Sequence, residues 1–133
     1  MRKKVTVIIV TIVVAGIAVF TNHLQKPLSM IRNDILWQTP LGTEMDEVIE
    51  VVERGARLKG WEIRGISHNM GYVNYSIRIP DWPDITASGH PVIGEKSIRV
   101  YLGKRLFFWH ITASWGFDKD GKLIDVYIRE ILH

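Results

Sequence analysis

Residues 5–20 read VTVIIVTIVVAGIAVF, sixteen positions without a charge, directly behind Met1-Arg2-Lys3-Lys4. Wound into a helix, this stretch has no polar face, so none of its sides suits water. It spans roughly 24 Å at ~1.5 Å per residue, slightly short of a hydrocarbon core ~30 Å thick. Snorkelling of Lys3 and Lys4 and extension through Thr21 close that gap. The pattern predicts an uncleaved transmembrane helix, with residues 1–21 as the membrane anchor. A cleaved signal peptide is the alternative, with a small-x-small exit at Gly16-Ile17-Ala18, although Val19 and Phe20 continue the apolar run beyond it. In both readings the basic head stays cytoplasmic and the rest of the chain lies outside: a single-pass protein of the cell membrane, or a secreted one if the leader is removed.

Setting Arg2, Lys3 and Lys4 aside leaves fourteen basic against fourteen acidic residues, so the formal charge of +3 belongs to the N-terminus. A near-neutral domain lacks the positive surplus that releases counterions from nucleic-acid phosphates, and no nucleic-acid partner is expected. Cysteine is absent. Disulfides, cysteine-zinc sites and lipid-modified cysteines are thereby excluded.

The exported part opens with residues 22–39, a juxtamembrane linker containing a short helix. In LSMIRNDIL, Leu28, Ile31 and Ile35 share a face, and Thr39-Pro40 ends the helix. Residues 40–133 form the domain. GTEMDEVIEVVER (42–54) has Met45, Val48, Ile49 and Val52 on one stripe and acidic residues in its first turn, where the helix dipole favours them. Thr43 and Asp46 are spaced as a capping box, Glu50 and Arg54 as a surface pair, and Gly55 as a C-terminal cap. These carboxylates are therefore read as the wet side of a packed helix, with no catalytic part.

After Gly60 the period falls from 3.6 to 2. WEIRGI (61–66), YVNYSIRI (72–79), SIRVYLG (97–103), RLFFWHITASWGF (105–117) and KLIDVYIRE (122–130) alternate apolar and polar positions, the mark of antiparallel strands buried on one face. In the second of these, Val73, Tyr75, Ile77 and Ile79 are the expected inner residues. DKDG (118–121) marks a hairpin turn. The fold class predicted is α+β: behind the transmembrane helix, two short helices packed on an antiparallel sheet of about five strands.

PDWPDITASGHPVIGE (80–95) has no period, three prolines and two glycines, and loops of this length are often functional. Trp82, Asp84 and His90 in this loop, with Trp37, are the candidate partner-binding residues; Trp37 and Trp82 are read as aromatic anchors in irregular segments. No histidine pair has metal-ligand spacing, and DKDGKLID lacks the ligands of a calcium loop, Arg129 standing where the last glutamate belongs. No nucleophile elbow, phosphate loop or dinucleotide fingerprint occurs. The expectation is a non-enzymatic protein without catalytic residues, metal or cofactor.

The glycine-led helix (Gly42-x-x-Met45), Gly55 near its end and the closing hairpin WGFDKDGKLIDVYI (115–128) carry a resemblance. On these motifs residues 40–128 resemble the SmpA/OmlA family of small envelope proteins, whose wider relatives share the β-lactamase-inhibitor-protein-like fold. The chain is also similar to small membrane-anchored proteins of Gram-positive bacteria. The resemblance implies a binding or scaffold role toward another envelope protein, and carries no catalytic residues over. An inhibitor or immunity protein that blocks a secreted hydrolase or toxin is the alternative. A hydrolase built on His68, His90 and Asp81 or Asp84 is a third.

Overall fold

The computed structural model describes residues 24–78, 89–106 and 108–132; the expected anchor, Trp82 and Asp84 lie outside the described residues. Among the described residues two helices, α1 (Leu28–Gln38) and α2 (Met45–Leu58), precede six strands. These are β1 (Glu62–Ser67), β2 (Tyr72–Val73), β3 (Val92–Ile93), β4 (Lys96–Arg105), β5 (Trp109–Phe117) and β6 (Leu123–Leu132). A four-stranded antiparallel sheet has the order β1-β4-β5-β6, and β2 pairs with β3 as a separate ribbon. The α+β class expected from the sequence is what forms, with five expected strands replaced by a sheet of four and a ribbon of two. Among the described residues no helix is long and apolar enough to cross a membrane.

The register explains the core. Ile98 stands opposite Trp115 and Trp115 opposite Val126; Val100 faces Ala113 and Ala113 faces Ile128. All six are buried, with Val48 and Val52 of α2 and Ile31 and Ile35 of α1. Each fully buried aliphatic or aromatic side chain contributes ~1.5–3 kcal/mol of transfer free energy. Leu24 is already part of this core, so the chain enters the domain ahead of α1.

Trp115 brings an indole N–H into that apolar layer, where an unmet donor costs ~1–3 kcal/mol. Its Nε1 donates to Thr39 Oγ1 at 3.1 Å, and the same hydroxyl donates to the Ile35 carbonyl at 2.9 Å. Thr39 thus closes α1 and satisfies the core tryptophan together.

The expected caps of α2 are not the ones used. Thr43 Oγ1 donates to the Pro40 carbonyl, Glu44 is the N-cap residue, and no side chain caps the helix. The Met45 amide is satisfied by the Gly121 carbonyl at 2.8 Å, so the β5–β6 turn supplies the cap from outside the helix. Glu44 pairs with Lys122 of that turn at 2.5 Å. Gly55 is not the C-terminal cap either. The helix runs on to Leu58, and the left-handed glycine is Gly60 at φ 72°. Gly55 is required for contact, since a Cβ there would lie 2.1 Å from Trp61 Cε3.

The segment 72–79 departs most from expectation. Only Tyr72 and Val73 form a strand. Asn74 then turns the chain, its Oδ1 accepting from the Ser76 amide at 3.0 Å and the Ser76 hydroxyl at 2.6 Å. A local side-chain acceptor of this kind competes directly with a sheet ladder. The burial is also reversed: Tyr72 and Asn74 are buried, while Tyr75 and Ile77 are exposed. The reason is position, because this segment lies on the sheet face away from the helices. Tyr72 presses on Gly116, where a Cβ would come within 2.7 Å of its ring, and stacks on Tyr127 at 6.0 Å. The C-terminal end of the expected 80–95 loop also differs, since Val92 and Ile93 pair with Val73 and Tyr72 as β3.

Candidate functional site

Alternation puts a second set of residues on the face opposite the core. Across β4, β5 and β6, Arg99 stands beside Ser114 and Ser114 beside Tyr127; two residues along, Tyr101 stands beside Thr112 and Thr112 beside Arg129. With Arg64 on one side and Tyr72 and Tyr75 of the β2 segment on the other, they line an open basin of about 670 Å³. Among the described residues no carboxylate lines it.

The three arginines are held differently. Arg64 sits 5.0 Å above the Tyr101 ring and is 2.8 Å from the Glu62 carboxylate, so its charge is largely answered at the rim. Arg129 lies 3.9 Å over the Tyr75 ring, an arrangement in which the ring quadrupole orients a guanidinium without neutralising it. Arg99 projects from the floor, exposed, and has no ion-pair partner among the described residues. Arg99 and Arg129 belong to strands flanking β5 and are offset by two residues along them, hence roughly 12 Å apart at ~4.8 Å per strand and ~3.4 Å per residue. Two guanidinium forks at that separation suit acidic groups about three or four residues apart on an extended segment, each fork able to grip a carboxylate bidentately.

Hydroxyls fill the space between. The Tyr101 hydroxyl and His110 Nδ1 share a hydrogen bond of 2.8 Å. Burial, and then the Glu62 carboxylate, raise the Tyr101 pKa above the usual phenol range, with Arg64 opposing them. Tyr101 therefore keeps its proton. Thr112 adds a hydroxyl at the centre of the floor. At the closed end, the buried Tyr72 hydroxyl has no hydrogen-bond partner. Burial first, and the Asp125 carboxylate second, hold its pKa far above the ordinary value. The Asp125 Oδ1 itself accepts from Arg32 at 2.7 Å and from the Val126 amide at 2.8 Å.

Of the expected partner-binding residues, His90 comes to the basin's edge. Its Nδ1 is 2.8 Å from the Ile77 carbonyl and its ring is 5.3 Å from that of Tyr75, the tyrosine under Arg129. Trp37 does not: it is 87% exposed on the outer side of α1, beyond the opposite face of the sheet. Trp82 and Asp84 are outside the described residues, as is Asp81, so the histidine–aspartate grouping has no described geometry. His68 lines a separate depression of about 620 Å³ with Glu95, Lys96 and Lys119. No group of three or more potential metal ligands occurs among the described residues.

Sequence reasoning missed Arg99, Arg129, Tyr101 and Tyr127 as a set, having placed each on the wet side of its own strand. The available signal was chemical: those wet positions carry arginine, tyrosine and hydroxyls, with Asp125 as their single acid in β4, β5 and β6. Compared with protein-family models, curated proteins and solved structures, the chain has no significant match.

Proposed function

We propose that this is a membrane-anchored, extracytoplasmic binding module, non-enzymatic, which takes an extended acidic segment of another envelope protein into the basin on its open sheet face. One observation carries the reading: Arg99 and Arg129 project from a concave surface on which the described residues place no carboxylate, with neither charge answered by an acid of the described chain. Exposed arginines normally lie among acids, and leaving two uncompensated in one hollow favours an anionic partner. The uncharged residues 5–20 behind a basic head support tethering, and the resemblance of residues 40–128 to SmpA/OmlA-like proteins supports a binding role.

Fluorescence anisotropy on the full chain in lipid nanodiscs tests this with two labelled peptides of equal length, one rich in Asp and Glu, the other rich in Lys. The acidic peptide binds, its affinity falling as salt rises, and the basic one does not. Equal binding of both peptides, or of neither, contradicts the proposal.

A further inference from the structure

A second surface, at the opposite end of the molecule from the DKDG turn, has a different chemistry. The β4–β5 hairpin turns between Arg105 and Trp109, with Leu106 and Phe108 at its tip. Leu106 is 58% exposed, Phe108 64% and Leu132, paired with Trp109 at the end of β6, 60%. Large apolar side chains clustered at one tip are unlike the scattered exposed leucines that any surface carries. Leu106 also has φ 52°, a left-handed backbone that Gly or Asn adopts readily and leucine does not. A turn optimised for folding alone would place Gly or Asn there, so the leucine side chain is kept in spite of its backbone.

The same end receives the chain from the apolar segment. Leu24 is buried, and its Cδ1 would lie 3.0 Å from a Cβ at Gly103, on the last turns of β4 before the tip. Phe20, the last residue of the uncharged run, is four residues earlier. Fully extended chain covers at most ~3.5 Å per residue, so Leu24 lies within roughly 14 Å of Phe20. A bilayer's headgroup zone adds ~5–8 Å on each side of its hydrocarbon core. With Phe20 at the edge of that core, the end of the sheet holding Gly103 is kept within the headgroup zone or at most about 6–9 Å beyond it.

We infer that the β4–β5 hairpin tip, Leu106 and Phe108 with Leu132 beside them, inserts into the lipid surface that holds residues 5–20. This rests on the anchoring part of the proposed function and is independent of the basin. Exposed Lys104 borders the tip, suited to lipid phosphates, as aromatic and basic residues are at membrane boundaries. Insertion gives the domain a fixed orientation. α1 leads away from this end, from Leu24 toward Thr39 and Trp115, so Trp37 stands clear of the bilayer.

The chain has no cysteine, so single labels are unambiguous. Nitroxides are attached to Phe108→Cys, Leu132→Cys and, in the DKDG turn, Asp120→Cys, each in the full chain reconstituted into phosphatidylcholine–phosphatidylglycerol vesicles. Collision with oxygen, which concentrates in lipid, is compared with collision with a water-soluble nickel chelate. The inference predicts that positions 108 and 132 favour oxygen and position 120 favours nickel. If the protein floats with the vesicles while 108 and 132 report water, the tip insertion is wrong and the anchor stands. Protection of 108 and 132 from both reagents means burial against another protein copy, and also overturns it. A chain that does not float removes the anchoring reading and the tip inference together.

Discussion

The two faces of the four-stranded sheet are made by the same strands and share almost nothing else. On the helix side, Ile98, Val100, Ala113, Trp115, Val126 and Ile128 are closed over by α1 and α2, and the one polar group among them, the Trp115 indole N–H, has its acceptor. On the other side, Arg99, Tyr101, Thr112, Ser114, Tyr127 and Arg129 alternate with those residues one for one, and among the described residues the β2 segment covers them through Tyr72 and Tyr75. Folding stability is concentrated in one face. The other can therefore carry charge and open space at little thermodynamic cost. If this division is real, substitutions should sort by face.

The largest effect belongs to the closed face. Trp115→Ala empties a fully buried site and strips Thr39 Oγ1 of its donor, and is expected to destabilise the domain by ~3–5 kcal/mol in chemical denaturation. A loss below ~1 kcal/mol, the ordinary scale for surface changes, would mean that the core lies elsewhere. Next comes the open face. Arg129→Ala removes one of the two uncompensated charges and should weaken acidic-peptide binding about tenfold, equivalent to ~1.4 kcal/mol, while the melting temperature hardly moves. A large drop in melting temperature would show that its stacking on Tyr75 is structural.

Tyr72, where the ribbon closes the basin, sharpens the comparison further. Its buried hydroxyl lacks a partner, so Tyr72→Phe should stabilise the fold by about 1 kcal/mol. The pH sign follows from the raised pKa. The unfolded chain loses the Tyr72 proton near pH ~10 while the folded chain retains it, so this residue's contribution is complete below that pH and declines above it. Alkaline denaturation of Tyr72→Phe should accordingly be shallower than that of the native protein. The smallest effect lies outside both faces, in the exposed Glu44–Lys122 pair, where the bond to Lys122 lowers the Glu44 pKa. Its slight stabilisation is present above the ordinary carboxylate range and lost on acidification through the lowered pKa. Glu44→Gln should flatten that acid limb at low salt and do nothing at high salt.

How far the sequence could be read depended on whether a residue's neighbours were local. Ile98, Val100 and the Trp109–Phe117 alternation were legible because period 2 needs only the strand itself. The β4–β5 turn was not, because Arg105 and Trp109 lie on the same face with three residues between them. Alternation passes through such a turn without a break, so Arg105 looked like the start of one long strand. Asn74 ended β2 through its own side chain, which periodicity cannot register. Gly55 looked like a cap because the ring that needs its missing Cβ, Trp61, arrives from beyond the helix. The basin was hidden for a related reason: Arg99, Ser114 and Tyr127 are neighbours only once three strands are in register. Of the two expected candidates among the described residues, His90 reaches the site, through Tyr75, and Trp37 does not.

Arg99 and Val100 are adjacent in the chain and point to opposite faces, so together they test the division most directly. Acidic-peptide affinity and melting temperature are measured for Arg99→Glu and Val100→Ala in the full, nanodisc-held protein. The account predicts that Arg99→Glu abolishes binding at an unchanged melting temperature, whereas Val100→Ala lowers the melting temperature and leaves the folded protein's affinity intact. Undiminished affinity in Arg99→Glu would contradict it.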